Sequence, residues 1–595
     1  MSAICLPAIA GGIVFVDQEA TGANDGSSWA NAYTDLRAAM ALAPAGSELW
    51  VADGVYHAGA DPVLSFEMRS GIAVYGGFMG TETLRSQRDF VAHATILSGD
   101  LNSDDQPGWV NMTENTDQVI RAVGVDASAI LDGFRIEGGR NTWLSGAGIY
   151  LQDGSPTIAN CIVTRCISDF APGGGMMVNN GSPHIENCDI SGNYAYAGRG
   201  GGAYLAGVGS PTFLGCRFAG NIVEGRGGTV ADGAGAFLEF DMAATFDECL
   251  FERNQAYPNM PLYSNGGAIC SLASGLTIRN CVVAGNSADS AGGVWFAGDA
   301  LIIGSDFTGN TSLAGGAMVA FNTTTSRIIG CSMSLNDAQD GGALSLSYSD
   351  VDLSGCVLWG NTGVGSTPYN AQIHSYLSNV SISYSCIEGL FALDPGEDPH
   401  DPNNFPYSLD ADPLFVDPNG LDNVPGTLDD DLRLLPSSPC IDAGNNIPLA
   451  GLPTDVDGLP RFAQDDGMPD TGKGAAPFAD MGSHEFQGRT AGFVIARPVP
   501  GASGQRNTIK AAGATPGARV DFFYGPRAGS TAVPGCPGLS LDILNPVKIG
   551  SAMADGSGNA QVARVVPAAA YGLEVRIQAL DRGACRKSNL VVRDF

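Results

Sequence analysis

SPHIENCDISGN (Ser182–Asn193), followed one unit later by SPTFLGCRFAGN (Ser210–Asn221), is the stretch on which the reading of this chain turns. In both, apolar and polar residues alternate up to a cysteine, and an Asn follows five residues after it. The phrase returns around Cys161 (SPTIANC), Cys249 (ATFDECLFERN), Cys281 (LTIRNCVVAGN), Cys331 (SRIIGCSMSLN) and Cys356 (VDLSGCVLWGN). Successive cysteines lie 27, 28, 33, 32, 50 and 25 residues apart, and LIIGSDFTGN, with Ser305 in the cysteine slot, divides the 50 into 24 and 26. A glycine pair or its remnant stands about fourteen residues ahead of each cysteine, as in GGGMM (Gly174), GGAYL (Gly201), GGAIC (Gly266) and GGALS (Gly341). Repeats of this length mean a solenoid. Short alternating segments between turn residues mean that each unit is built of strands.

Two or three short strands per repeat, with a glycine turn, make one coil of a parallel β-helix, because each coil buries its apolar edge only against the next. Equivalent residues then stack at strand spacing. Cys161, Cys188, Cys216, Cys249, Cys281, Cys331 and Cys356 form an inward ladder. Asn193, Asn221, Asn254, Asn286, Asn310, Asn336 and Asn361 form a second one at a bend, where amides bond up the stack and tolerate left-handed backbone. The cysteines act as small hydrophobes. They lack the histidines and short spacings of a zinc site, and Cys161 with Cys166 has no partner pair nearby. Asn286 and Asn310 head N-x-S/T triplets, which turn building explains without glycosylation.

Charge divides the 595 residues further. Net charge is −32; residues 1–390 carry 37 acidic against 14 basic residues, 391–486 carry 19 against 3, and 487–595 carry 6 against 13. A basic tail thus follows an acidic body, and nucleic acid is excluded as a partner of that body. No run of 18 apolar residues exists, so no transmembrane segment is expected. MSAICLPAIAGGIVFVD has an apolar run without a preceding Lys or Arg, which makes an incomplete signal peptide. Acidity, the solenoid and the isolation of Cys536 and Cys585 in one small module, where they are expected to pair, point to a secreted or bacterial cell-surface address.

Four regions follow. Residues 13–58 read as a strand, a helix with Leu36, Ala39, Met40 and Ala43 on one face, and a second strand; the helix is expected to cap the first coil. Residues 59–390 form the coils. Residues 391–486 are an acidic Asp/Pro-rich closing segment. Residues 490–595 read as a small β-sandwich, with strands near RVDFFYG, QVARVVP and LEVRIQAL. The order FVD, GSSW, AYTDL, WVADGVY, with LDGFRIEGG later, resembles secreted bacterial right-handed parallel β-helix proteins of the pectin-lyase-like superfamily. The GGA and F-x-x-N phrases resemble polymorphic outer-membrane-protein repeats. DADPLFVDPNG, SSPCIDAGNN, TDVDGLPRF and FADMGSHEF are similar to the choice-of-anchor Q segment, and GATPG, FFYG and CPG are similar to other bacterial secreted tails. These resemblances imply an all-β chain on the cell surface or outside it and do not assign an activity.

Acidic loops prompt a calcium expectation. Asp429, Asp430 and Asp431, then Asp455 and Asp457, then Asp465, Asp466 and Asp470 offer the oxygens that structural Ca²⁺ takes, although an EF-hand pattern is absent. Solvated acidic loops and turn use of single Asp residues are the alternatives. No other cofactor is expected.

Superfamily enzymes on this scaffold place carboxylates and a cation in an outer groove. Glu239 with Asp241, and Asp350 with Asp352, are the i, i+2 pairs that would share a strand face. Arg217, Arg253, Arg279 and Arg327 are the cations available, and His184 falls in a turn between coils. There is no polygalacturonase-type N-x-D, DD, GHG, RIK series, and no lysine occurs before Lys473. The expectation is therefore a non-catalytic module for glycan or protein binding and adhesion, whose partner is a polysaccharide or a cell-surface protein. A polysaccharide lyase or glycoside hydrolase acting on acidic glycans is the alternative. A groove joining Arg, carboxylates and aromatics would favour the enzyme. Trp143, Trp295 and Trp359 are the aromatics on which sugar faces would stack.

Overall fold

A computed structural model describes residues 11–143, 145–226, 229–257, 263–363, 368–391, 405–420, 422–465, 467–487, 493–496, 498, 506–537, 539–556, 558–566, 574–588 and 590–594. Parallel pairing of each short strand with its equivalent in the next coil builds three long sheets of 13, 12 and 11 strands. The coil around Cys188 is representative. Met176–Asn179 lies in the third sheet, His184–Glu186 in the first and Asp189–Ser191 in the second. Tyr194–Tyr196 then joins a shorter fourth sheet of five strands. Register is held residue by residue, with Ile185 over Ile158 and under Phe213.

The phrase around each cysteine is now explained. The residue before it turns the chain from the first sheet into the second with positive φ, as at Asn160, Asn187, Gly215, Glu248, Asn280 and Gly304. Asn and Gly tolerate this left-handed conformation best. All seven ladder cysteines are buried and free. Cys161 N donates to Cys188 Sγ at 3.5 Å, and Cys281 N donates to Ser305 Oγ at 3.0 Å, so Ser305 takes the slot without breaking the column. Ser385, rather than the adjacent Cys386, continues it beyond Cys356.

The Asn ladder is continuous. From Asn193 to Asn361 each Nδ2 donates to Oδ1 of the next Asn, and Asn361 Nδ2 donates to Gln372 Oε1, at 2.6–3.1 Å throughout. Each Nδ2 also reaches a backbone carbonyl, as Asn254 does to Phe218 O at 2.9 Å, while each Oδ1 takes a backbone N–H from the coil before. Such amides are fully satisfied, which is the condition for burying them. One expectation is corrected: the ladder Asn residues are not left-handed themselves, since positive φ falls on the residue before each, such as Gly192, Gly220 or Arg253. Cys166 N donates to Asn193 Oδ1 at 3.2 Å, so Cys166 occupies the Asn position one coil earlier.

At the N-terminal end the helix Leu36–Leu42, capped by the Asp35 side chain, buries Leu36, Ala39 and Met40 in the same core as the coils. Strands of the solenoid continue to Cys386–Ile387. Beyond Phe405 the chain folds back onto the coils. Leu434, Cys440, Ile441 and Met481 pack on Val357 and Cys386 of the second sheet, and Leu449 and Leu452 pack on Ile303 and Ile329. Residues 493–594 form antiparallel sheets around Phe493, Ile509, Phe522 and Ile577. The Cys536–Cys585 disulfide joins this region as expected. Cys5 lies outside the described residues.

Candidate functional site

Side chains of the second sheet that point outward form a column in register: Ile162, Asp189, Arg217, Leu250, Val282, Asp306, Ser332 and Val357. The refolded C-terminal residues cover its later part and stop near Leu250. There a cleft of about 810 Å³ opens, lined by Asp189, Arg217, Glu252 and Arg253 of the coils, Asp422 and Asp429 of the closing segment, and Arg506 and Gln561 of the antiparallel sheets. Arg217 bridges two carboxylates, with Nη1 at 3.1 Å from both Asp189 oxygens and Nε at 2.9 Å from Glu252 Oε1. Burial lifts the Asp189 carboxyl above its ordinary range against the opposing pull of Arg217. The cleft therefore joins carboxylates to arginines, and among the described residues no aromatic side chain lines it.

Deeper along the same column the three parts of the chain are locked by buried charge. His484 sits between Asp306 Oδ2 (2.9 Å from Nε2) and Asp457 Oδ2 (3.1 Å from Nδ1), and Lys510 Nζ lies 3.8 Å from Asp457 Oδ1. Burial alone would lower the pKa of His484. The two carboxylates override that and hold it up to about 10, so it is an imidazolium at neutral pH. Burial would raise Asp457, yet Lys510 and His484 keep it well below the ordinary carboxylate range. Ser483 Oγ bonds Asp306 and Ser332, not His484, so this is a clamp and not a nucleophile with its base.

The residues proposed from sequence are distributed as follows. Glu239 accepts from Tyr204 Oη and pairs with Arg199 Nη1 at 3.4 Å. Left-handed Phe240 separates it from Asp241, which starts another short strand, so the pair does not have the alternation of one strand. Asp350 and Asp352 do share the strand Asp350–Ser354, and bond Asn379 Nδ2 (2.7 Å) and approach Arg327 Nε (3.9 Å) respectively. His184 is in the strand His184–Glu186, not a turn, with Nδ1 2.8 Å from Thr212 Oγ1.

Among the acidic loops, Asp429 accepts from Thr427 Oγ1 and Asp430 from Thr308 Oγ1, at 2.6 and 2.8 Å, while Asp431 pairs with Arg433. Asp455 accepts backbone N–H groups of Leu459 and Glu485, Asp465 Oδ1 accepts from Gly467 N, and Asp470 accepts from Gln464. Asp466 lies outside the described residues. Each of these described carboxylates thus meets at least one protein donor.

Aromatics gather on another face. Trp143 is 77% exposed and stacks on Phe170, 52% exposed, at 5.2 Å and 20°. Phe170 meets Tyr196 at 6.1 Å, Tyr196 meets Tyr194 at 6.0 Å, and Tyr194 stacks on Trp109 at 5.5 Å. Arg226 lies over Tyr196 at 4.5 Å and pairs with Glu224, and Arg140 pairs with Asp169, which gives the strip a polar rim. Trp143 was flagged by sequence; its neighbours were not, although Phe170 lies one 27-residue repeat after it. Trp295 heads a second row, with Phe321, Tyr348 and Tyr376. Trp359 packs with Val357 against the closing segment.

A family model for the right handed beta helix region matches residues 121–298 and 234–394. No curated protein matches the chain. Among solved structures, it is similar to pectate lyase Pel9A, with a TM-score of 0.40 and 16% identity over 80% of this chain and 96% of that one. It is also similar to the enzymatically active domain of tailspike protein 2 of bacteriophage CBA120, with a TM-score of 0.22 and 8% identity over 92% and 72%.

Proposed function

We propose that this right-handed parallel β-helix is a secreted or cell-surface module that binds neutral glycans on the strip Trp143–Phe170–Tyr196–Tyr194–Trp109, without catalysing their cleavage. The observation that carries the reading is the exposure of stacked rings on neighbouring coils, rimmed by Arg226, Glu224, Arg140 and Asp169. Exposed contiguous apolar surface with a polar border is what a binding face needs. Flat rings with polar neighbours suit sugar rings, which present C–H faces and hydroxyl edges. A chain of net charge −32 repels polyuronates at low ionic strength, which favours neutral chains. The Cys536–Cys585 disulfide supports an extracytoplasmic address. Among the described residues no helix is long and apolar enough to cross a membrane. The basic tail, +7 by formal charge from 13 basic and 6 acidic residues in 487–595, would dock to an anionic surface. Among the described residues, aromatics are missing from the cleft that holds Arg217, so the groove an enzyme would want is split between two faces.

A glycan array with the purified chain and the Trp143→Ala/Phe170→Ala variant tests this. Retention of neutral glycans is expected, falling at least about tenfold in the variant, the loss of roughly 1.4 kcal/mol. Absence of retention at every salt concentration would overturn it. The hydrolase or lyase reading rests on Asp189 and Glu252 facing one cleft across Arg217. It predicts new reducing ends or unsaturated products from pectin, alginate or neutral glycans that vanish with Glu252→Gln.

A further inference from the structure

The loop of residues 99–118 leaves the second sheet after Thr95–Ser98 and re-enters the third at Ile120–Val123. It interrupts the repeat and lies outside the calcium expectation drawn from the closing segment. Asp100, Asp104, Asp105 and Glu114 each direct one oxygen to a common point, with all four oxygens within 4.8 Å of one another. Among the described residues no other group of three or more His, Cys, Asp or Glu is so convergent. Four like charges at that range repel strongly unless positive charge lies among them. Arg165 is the cation paired there, with Nη2 3.7 Å from Asp105 Oδ2, and one guanidinium does not balance four carboxylates.

A second observation does not depend on the clustering. The Asp105 side chain is 1% exposed, and its Oδ1 is buried with no hydrogen-bond donor. Glu114 Oε1 is buried in the same condition. Asn115, itself buried, donates Nδ2 to Asp105 Oδ2 (3.0 Å) and Gly138 O (2.6 Å), while its Oδ1 has no donor. Buried oxygens are nearly always satisfied, and with Thr116 Oγ1 four go without in this one loop. Meanwhile Asp100 accepts from the backbone N–H of Asp104 (3.2 Å) and Asp105 (3.1 Å), which holds the loop so that its carboxylates converge. Hard oxygens without donors, gathered around excess negative charge, are complementary to a hard cation. Variable oxygen number on an irregular loop suits Ca²⁺ better than octahedral, water-retaining Mg²⁺.

We propose that the loop of residues 99–118 binds one Ca²⁺ through Asp100, Asp104, Asp105 and Glu114. The ion joins residues up to fourteen apart in sequence and fixes the loop, including Trp109 where it stacks on Tyr194. Sugar plays no part in this site, so it stands or falls independently of the glycan reading.

The test uses the full chain after chelator treatment, titrated with CaCl₂ by calorimetry and with Tb³⁺ by tryptophan-sensitised emission. One equivalent is expected to bind, with Tb³⁺ displaced by excess Ca²⁺. Asp104→Asn, which changes an exposed carboxylate, is expected to weaken binding at least about tenfold, and Asp105→Asn/Glu114→Gln to abolish it. Trp109→Phe is expected to dim the emission and leave calorimetric binding intact. Should the double variant fail to fold, Asp104→Asn decides. Failure of the native chain to take up Ca²⁺, or equal affinity in Asp104→Asn, overturns the proposal; so does binding that is lost only on changing Asp429 and Asp470 of the closing segment.

Discussion

Asn254 shows what one residue does in a stacked fold. Its amide accepts from Asn221 and donates to Asn286 and to Phe218 O, all in the dry interior. Replacement by Ala takes the acceptor from Asn221 N and the side-chain donor from Phe218 O, and leaves Asn221 Nδ2 and Asn286 Oδ1 with one partner each instead of two. Each orphan costs about 1–3 kcal/mol, so Asn254→Ala is expected to lower stability by about 3 kcal/mol, read from the urea midpoint. Cysteine positions behave differently because Ser305 already shows that an Oγ fits the column. Cys281→Ser is expected to cost under about 1.5 kcal/mol, whereas Cys281→Leu overfills the coil and costs about 1–3 kcal/mol. The same urea series checks both. Residues of this kind were legible in the sequence because they recur: the period names the column, and chemistry names its role. Asp105 and Glu114 were not legible, since they occur once, in a loop without a period, and their meeting depends on how that loop closes.

Among elements, the closing segment is held by titrating groups, and its pH response has a definite sign. His484 has a folded pKa near 10, above its unfolded value of about 6.5. Its contribution is thus complete below pH 6.5 and lost as pH rises from there through about 10. Asp455 and Asp480, both buried, are raised by that burial, so folding favours their protonated forms and they oppose stability in the same upward direction. Asp431 works at the other end: burial would raise it, Arg433 holds it down to about 2, and its contribution fades as pH falls from 3.8 toward 2. The segment is therefore expected to loosen by a few kcal/mol between pH 6.5 and 10, and His484→Gln to flatten that slope. Hydrogen exchange of residues 440–486 against pH measures it. No periodic signal pairs Asp306 with His484, which are 178 residues apart in sequence. That distance is why DVDG could be read as acidic, and both DVDG and GSHEF as parts of a closing segment, but not as parts of one clamp on the coils.

For the whole molecule, the coils and what covers them are not separable at no cost. Ile303, Ile329, Val357 and Cys386 are buried because Leu449, Leu452, Leu434 and Met481 lie on them. A chain ending at residue 390 would expose this apolar stripe, and self-association is expected; a monodisperse monomer in light scattering would contradict it. The Asn column also has a direction that no single coil reveals. One N–H of each ladder amide donates to the next amide toward the C-terminal end while its Oδ1 faces the coil before, and the last donor, Gln372 Nε2, meets Glu388 Oε2 at 3.0 Å. Aligned dipoles add, so the rod carries a small electrical polarity along its axis, with its positive pole resting on a carboxylate.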